Sequence, residues 1–134
     1  MRTGGCQCGG VGYECVEQPV ELYICHCTQC RKQSASAFGI SFIVPRGSFH
    51  LTNGTPRLWT RDTLNGAKLE GAFCPTCGSR LWHQSSDSAE TLSVKGGSLD
   101  EAVDISNAVH IWTSSKLPGV VIPEAAREFL QEPD

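Results

Sequence analysis

The chain has 134 residues and a mass of 14.5 kDa, the size of one ordinary domain able to bury a core without splitting. Its 11 Lys+Arg against 14 Asp+Glu give a formal charge of −3. No run of like charges occurs, so the sequence lacks the basic footprint that a nucleic acid or an anionic membrane surface selects. No apolar stretch approaches the roughly 20 residues of a membrane helix, and the opening MRTGGCQCGG has no apolar segment of the export-signal kind. The expectation is a soluble, cytoplasmic protein without a nucleic-acid or membrane partner.

Taken in chain order, 14 glycines and 7 prolines break short apolar stretches at near-regular intervals, which predicts a mainly β fold. Strands are expected over 11–16, 38–44, 48–52, 57–61, 67–73, 80–83, 91–95 and 108–113. Turn signals separate them at Asn53-Gly54, Asn65-Gly66 and Gly96-Gly97. No window before the last dozen residues has sustained helical periodicity. The one predicted helix covers 123–130, with Pro123 at its first position and Ala126, Phe129 and Leu130 on one apolar face. There is no repeat and no low-complexity segment, and only 116–118 resembles a linker, so 1–134 is read as a single domain with a helical tail over 117–134.

Chemistry concentrates in the cysteines, of which there are eight. Four disulfides are arithmetically possible, but such frameworks belong to secreted chains, and the same density in a cytoplasmic chain points to metal. Seven fall in three clusters: Cys6-Gln7-Cys8, Cys25-His26-Cys27-Thr28-Gln29-Cys30 and Cys74-Pro75-Thr76-Cys77. The eighth, Cys15, shares a strand face with Val11 and Tyr13 and is expected to be a buried apolar side chain. Cys74-Pro75-Thr76-Cys77-Gly78 has the form of a zinc knuckle, its two-residue spacer letting both sulfurs reach one ion while the glycine relaxes the turn. A structural zinc takes four ligands, so the knuckle must recruit two more. Closing it with Cys6 and Cys8 leaves Cys25, Cys27 and Cys30 as a set of three, the usual protein complement of a catalytic zinc. The alternatives are that the middle cluster also closes, with His26, His50, Glu70 or another side chain as fourth ligand, or that it is simply reduced and binds nothing.

The segments Gly5-Cys6-Gln7-Cys8-Gly9 through Tyr13-Glu14, Cys25-His26-Cys27 through Arg31-Lys32, Phe73-Cys74 through Gly78, Gly97-Ser98-Leu99-Asp100 and His110-Ile111 together resemble the glutathione-dependent formaldehyde-activating enzyme family, also called the centromere protein V domain. The resemblance runs over about 3–116. It implies a β-tent fold of short antiparallel strands stapled by a structural zinc on Cys6, Cys8, Cys74 and Cys77, with a second zinc on Cys25, Cys27 and Cys30. The activity it implies is a carbon–sulfur lyase-type reaction joining glutathione to formaldehyde to give S-hydroxymethylglutathione. Two departures stand out: many relatives carry glycine where Ala35 stands, and often a tryptophan near 117–119, where this chain has none.

With that resemblance, Cys25, Cys27 and Cys30 are expected to hold a zinc that binds and orients the incoming thiol. Three thiolates on a divalent ion leave a net negative charge, which favours thiol binding over strong carbonyl activation. His26 is a candidate proton acceptor, or else points away from the metal. Arg31 and Lys32 are candidate anchors for the carboxylates of glutathione, or else solvated surface charge. His110 is read as a hydrogen-bonded core or edge histidine, and Trp59, Trp82 and Trp112 as core or pocket wall. The expected partners are a small-molecule thiol and an electrophile. The competing reading is a non-catalytic zinc-binding module that recognises a protein or a thiol.

Overall fold

Short glycine-punctuated segments can bury their apolar faces only by pairing into sheets and packing the sheets together. The computed structural model of the chain describes residues 1–133, and the strands there are β1 (Arg2–Gly5), β2 (Gly12–Cys15), β3 (Glu21–Cys25), β4 (Gly39–Pro45), β5 (His50–Asn53), β6 (Arg57–Asp62), β7 (Lys68–Phe73), β8 (Arg80–Ser85), β9 (Thr91–Lys95) and β10 (Val109–Ile111). They form a three-stranded sheet in the order β1-β2-β5 and a seven-stranded sheet in the order β10-β3-β4-β9-β8-β7-β6. All pairings are antiparallel except β10 with β3. The mainly β expectation therefore holds. No helix among the described residues is long and apolar enough to cross a membrane.

The period-2 alternation of the large sheet separates two chemistries. Register places Leu22, Phe42, Val94, Trp82 and Ala72 in one row across neighbouring strands. This row faces the small sheet, where Val11, Tyr13 and Cys15 are buried against Phe42, Val44, Leu81, Leu92 and Val94. Cys15 is fully buried in this core and belongs to neither sulfur cluster, as its alternation predicts. Tyr13 stacks on Phe49 at 5.0 Å, and Phe49 packs against Trp82 at 4.8 Å. The opposite face carries Cys25, Ser41, Lys95, Ser93 and His83 by the same register.

Two strands, β1 and β3, are additional to those predicted. β1 reads Arg-Thr-Gly-Gly, a sequence with little strand character, and is held by its four-pair register with β2. The predicted helix over 123–130 does not form. That segment instead runs along β10: the Phe129 N–H donates to His110 O at 2.9 Å, the His110 N–H to Arg127 O at 2.9 Å, and the Trp112 N–H to Gln131 O at 3.0 Å. An eight-residue helix must overcome its own nucleation cost. Here the free edge of β10 supplies the backbone partners, and Phe129 packs on the cluster of Cys25, Cys30, Val109 and Ile111.

The α-helix among the described residues is elsewhere: α1 (Thr28–Ser34). Seven residues are too few to show 3.6-residue periodicity, so its stability is local and sulfur-based. Cys27 is its N-cap, with Sγ accepting the Cys30 N–H at 3.3 Å. At the other end the Ser36 N–H reaches Arg31 O and the Ala35 N–H reaches Lys32 O, both at 3.3 Å, with Ala35 left-handed at φ 51. An L-residue in that conformation costs roughly 1–2 kcal/mol, a cost glycine does not carry. Ala35→Gly should raise the stability of the chain by about 0.5–1 kcal/mol after the added freedom of the unfolded chain is subtracted. A urea melt checks this, and an unchanged or lower midpoint would contradict it.

Candidate metal centre and cavity

Two hairpin turns bring the first cluster together. Cys6 and Cys8 lie in the β1–β2 turn, and Cys74 and Cys77 in the β7–β8 turn of the other sheet. Their four sulfurs lie within 4.8 Å of one another. Cys6 to Cys8 is 3.6 Å and Cys8 to Cys74 is 3.7 Å. These separations are too long for a disulfide, and all eight cysteines are free. They match the spacing of about 3.8 Å expected between sulfurs each 2.3 Å from one tetrahedral zinc. The residues therefore fit such an ion.

The surrounding backbone supports thiolates at these positions. The Val11 N–H donates to Cys6 Sγ at 3.1 Å and the Thr76 N–H to Cys74 Sγ at 3.4 Å. Hydrogen bonds from the Ser79 hydroxyl and the Ser79 and Cys8 amides pull the Cys77 thiol down to about 5. Gly78 takes φ 81, the left-handed conformation that closes the knuckle turn, with its N–H on Cys74 O at 2.9 Å.

Cys25, Cys27 and Cys30 form the second group, also with sulfurs within 4.8 Å. Cys25 ends β3, Cys27 caps α1 and Cys30 lies one turn into it, so a strand end and a helix start converge on one point. Hydrogen bonds from the Cys25 and Cys30 thiols, with the Cys30 and Gln29 amides, hold Cys27 far below the usual thiol range, while Cys25 is pushed far above it by the same sulfurs and by burial. The Cys30 N–H on Cys27 Sγ at 3.3 Å favours the charged form of that sulfur. Among the described residues no fourth cysteine, histidine or carboxylate joins this group. His26, His50 and Glu70 all lie outside it.

His26 is fully buried, and its Nε2 is 2.9 Å from Nδ1 of His110, the two rings stacked at 5.2 Å. Burial, with the charges of His110 and Lys116, lowers His26 to about 4, and burial lowers His110 as well. Both rings are therefore neutral near pH 7, bound to each other rather than to the sulfurs. Arg31 and Lys32 sit in the last turn of α1 and border a shallow groove with Thr28, Ala35, Ser36 and Leu117.

The larger cavity lies elsewhere. It measures about 700 Å³ and runs between the two sulfur groups, with Cys30 on one wall and Cys6 and Cys77 on the other. Phe38 and Ile40 supply apolar lining, Gln33 and Ser98 polar groups, and Arg80, Lys95 and Asp100 the charges. Lys95 hydrogen-bonds Nδ1 of His83 at 2.5 Å. Burial pushes the Lys95 ammonium down to about 8; the sulfurs of Cys30, Cys25 and Cys27 oppose that shift and the Arg80 charge adds to it. Sequence reasoning did not select Lys95, His83 or Arg80. A lone lysine in a strand carries no motif, and only the cross-strand register to Ser41 and the β8–β9 pairing put Lys95 and His83 on the face of Cys25.

Cys74→Ser should weaken the joint between the sheets, because it removes a sulfur from the four that meet there. The expected result is loss of one metal ion per chain and a fall in Tm of more than about 10 °C. Metal analysis combined with a thermal melt checks this; an unchanged melt would show that the four sulfurs do not hold the sheets together.

Comparison with known proteins follows the same pattern. The crystal structure of a Rhodobacter sphaeroides protein is similar with a TM-score of 0.63 at 22% sequence identity, over 81% of this chain and 98% of that one, a likeness of fold. The family model described as glutathione-dependent formaldehyde-activating enzyme matches residues 1–115. Since that match takes in both sulfur groups and all ten strands, the chain belongs to the glutathione-dependent formaldehyde-activating enzyme family.

Proposed function

We propose that this chain is an enzyme of the carbon–sulfur lyase type that adds glutathione, or another small thiol, to formaldehyde or a related small electrophile, giving S-hydroxymethylglutathione or its analogue. The observation that carries the reading is the second sulfur group: three cysteines without a fourth protein ligand among the described residues, with Cys30 lining a cavity large enough for a tripeptide-sized molecule. The free state of all eight cysteines suits the reducing cytoplasm expected from the sequence.

Cys6, Cys8, Cys74 and Cys77 would hold a structural zinc, and Cys25, Cys27 and Cys30 a second one. Bound there, the second ion would supply a Lewis acid that keeps a thiol sulfur deprotonated near neutral pH. The chain's own groups do the rest. The end of β3 and the start of α1 fix the three sulfurs, and the cavity walls bring the thiol and the electrophile together. In the addition the thiol loses its proton, a carbon–sulfur bond forms, the carbonyl π pair moves to oxygen, and that oxygen takes up a proton. His26 acts as a positioning residue: its ring is neutral and bound to His110, and its backbone N–H donates to Ile111 O at 3.0 Å, so it ties the link between Cys25 at the end of β3 and Cys27 at the start of α1 to β10.

Protein purified without chelator should carry two zinc ions per chain, falling to one in Cys27→Ser with the fold retained, since the first four sulfurs are untouched. Turnover of glutathione with formaldehyde should fall by at least 100-fold in that variant. One zinc per chain in both proteins would remove the chemical centre of the proposal. Two zincs without turnover for any small thiol would favour the non-catalytic module instead.

A further inference from the structure

The cavity holds two cations that the protein itself leaves without an acid. Arg80 and Lys95 both line it, and each takes part in no ion pair among the described residues. The carboxylate lining the cavity, Asp100, forms an ion pair with neither; its Oδ2 accepts the Thr3 hydroxyl at 2.7 Å. Two cations lining one cavity repel each other, and an anion placed between them relieves that repulsion.

The two cations are held in place by side chains that leave their donors free. The Arg80 guanidinium lies over the rings of Trp59 at 5.7 Å and Phe73 at 5.6 Å. It crosses the strand at Gly71, where a Cβ would come within 3.1 Å of its terminal nitrogen. Cation–π contacts of this kind use none of the guanidinium's N–H groups. Lys95 spends one ammonium proton on His83 and has two left. Lys95 lines the cavity together with Cys30 and Arg80.

From this arrangement we infer that Arg80 and Lys95 form a carboxylate-binding subsite that anchors the thiol substrate by a carboxylate while its sulfur is directed to Cys25, Cys27 and Cys30. The choice of thiol rests on the function proposed above; the anion site itself rests on the cavity and its unpaired cations. It also assigns the anchoring role to these residues and away from Arg31 and Lys32, which border the separate shallow groove. The substrate class is a thiol carrying at least one carboxylate, as glutathione does. Thiols without one, such as cysteamine, are disfavoured.

The test uses S-methylglutathione, which keeps both carboxylates and has no free thiol, so that its binding does not depend on the addition reaction. Calorimetric titration of the full chain should show binding that weakens on the order of 10- to 100-fold in Lys95→Met and in Arg80→Met, the range for losing a hydrogen bond to a charged group. The dimethyl ester of the same probe should bind the unsubstituted chain more weakly by a similar factor. That comparison needs no variant and stands even where a substitution impairs folding. The double variant Arg31→Met, Lys32→Met should bind as the unsubstituted chain does. Equal binding of acid and ester, no binding of the acid, or a loss that follows Arg31 and Lys32 would each overturn the subsite. Turnover without S-methylglutathione binding would sink the subsite and leave the proposed reaction standing. Binding through Lys95 and Arg80 without turnover would do the reverse.

Discussion

Four sulfurs from two turns meet at the joint between the sheets, and the remaining architecture depends on that meeting. The β1–β2 turn belongs to the small sheet and the β7–β8 turn to the large one. Neither turn has much apolar surface of its own. What joins them is the convergence of Cys6, Cys8, Cys74 and Cys77, backed by amide-to-sulfur hydrogen bonds from Val11 and Thr76. Cys6 and Cys74 are also buried members of the main core, so the sulfur group and the apolar packing of Tyr13, Phe42 and Val94 form one continuous body. A 134-residue chain of short strands has limited core to spend on orientation, and a metal ion held by these four sulfurs would cross-link its sheets.

The same convergence borders the cavity. One of its walls is the β1–β2 turn with the knuckle, and the other is α1 with the start of β4. The two sulfur groups are therefore not independent features of the fold: one holds the wall that faces the other. The large sheet divides its labour accordingly. Its inner face carries Phe42, Val94 and Trp82 into the core, and its outer face presents Cys25, Ser41, Lys95 and His83. Period-2 alternation is enough to separate a packing surface from a chemical one on strands that serve both.

The region around the second sulfur group is assembled from elements that would not be stable alone. The helix α1 has seven residues, is capped by a sulfur at one end and closes with a left-handed alanine at the other. Strand β10 has three residues and is covered along its edge by the segment carrying Arg127 and Phe129. The His26–His110 pair ties these pieces together across 84 positions of sequence. Each piece supplies what another lacks, so the site depends on tertiary contact more than on local propensity.

Much of this was legible in the sequence. Glycine and proline punctuation predicted the β class, and the alternation of Val11, Tyr13 and Cys15 identified Cys15 as core. Cysteine spacing divided the remaining seven into four and three, because a knuckle's spacer and a tetrahedral ligand count are local chemical rules that need no coordinates. Strand β1, the helix α1 and the extended course of the C-terminal segment were not legible, for one physical reason. Their own residues prefer nothing strongly, and the decision came from β2, from Cys27 Sγ and from the open edge of β10. The same holds for the cavity. Arg31 and Lys32 stand beside the cysteines in sequence, yet the helix carries them to another groove, while Arg80 and Lys95 arrive from distant strands. The sequence by itself determined which atoms can hold a metal; only the tertiary structure decided which charges surround the space between them, because strand register brings residues together regardless of their distance along the chain.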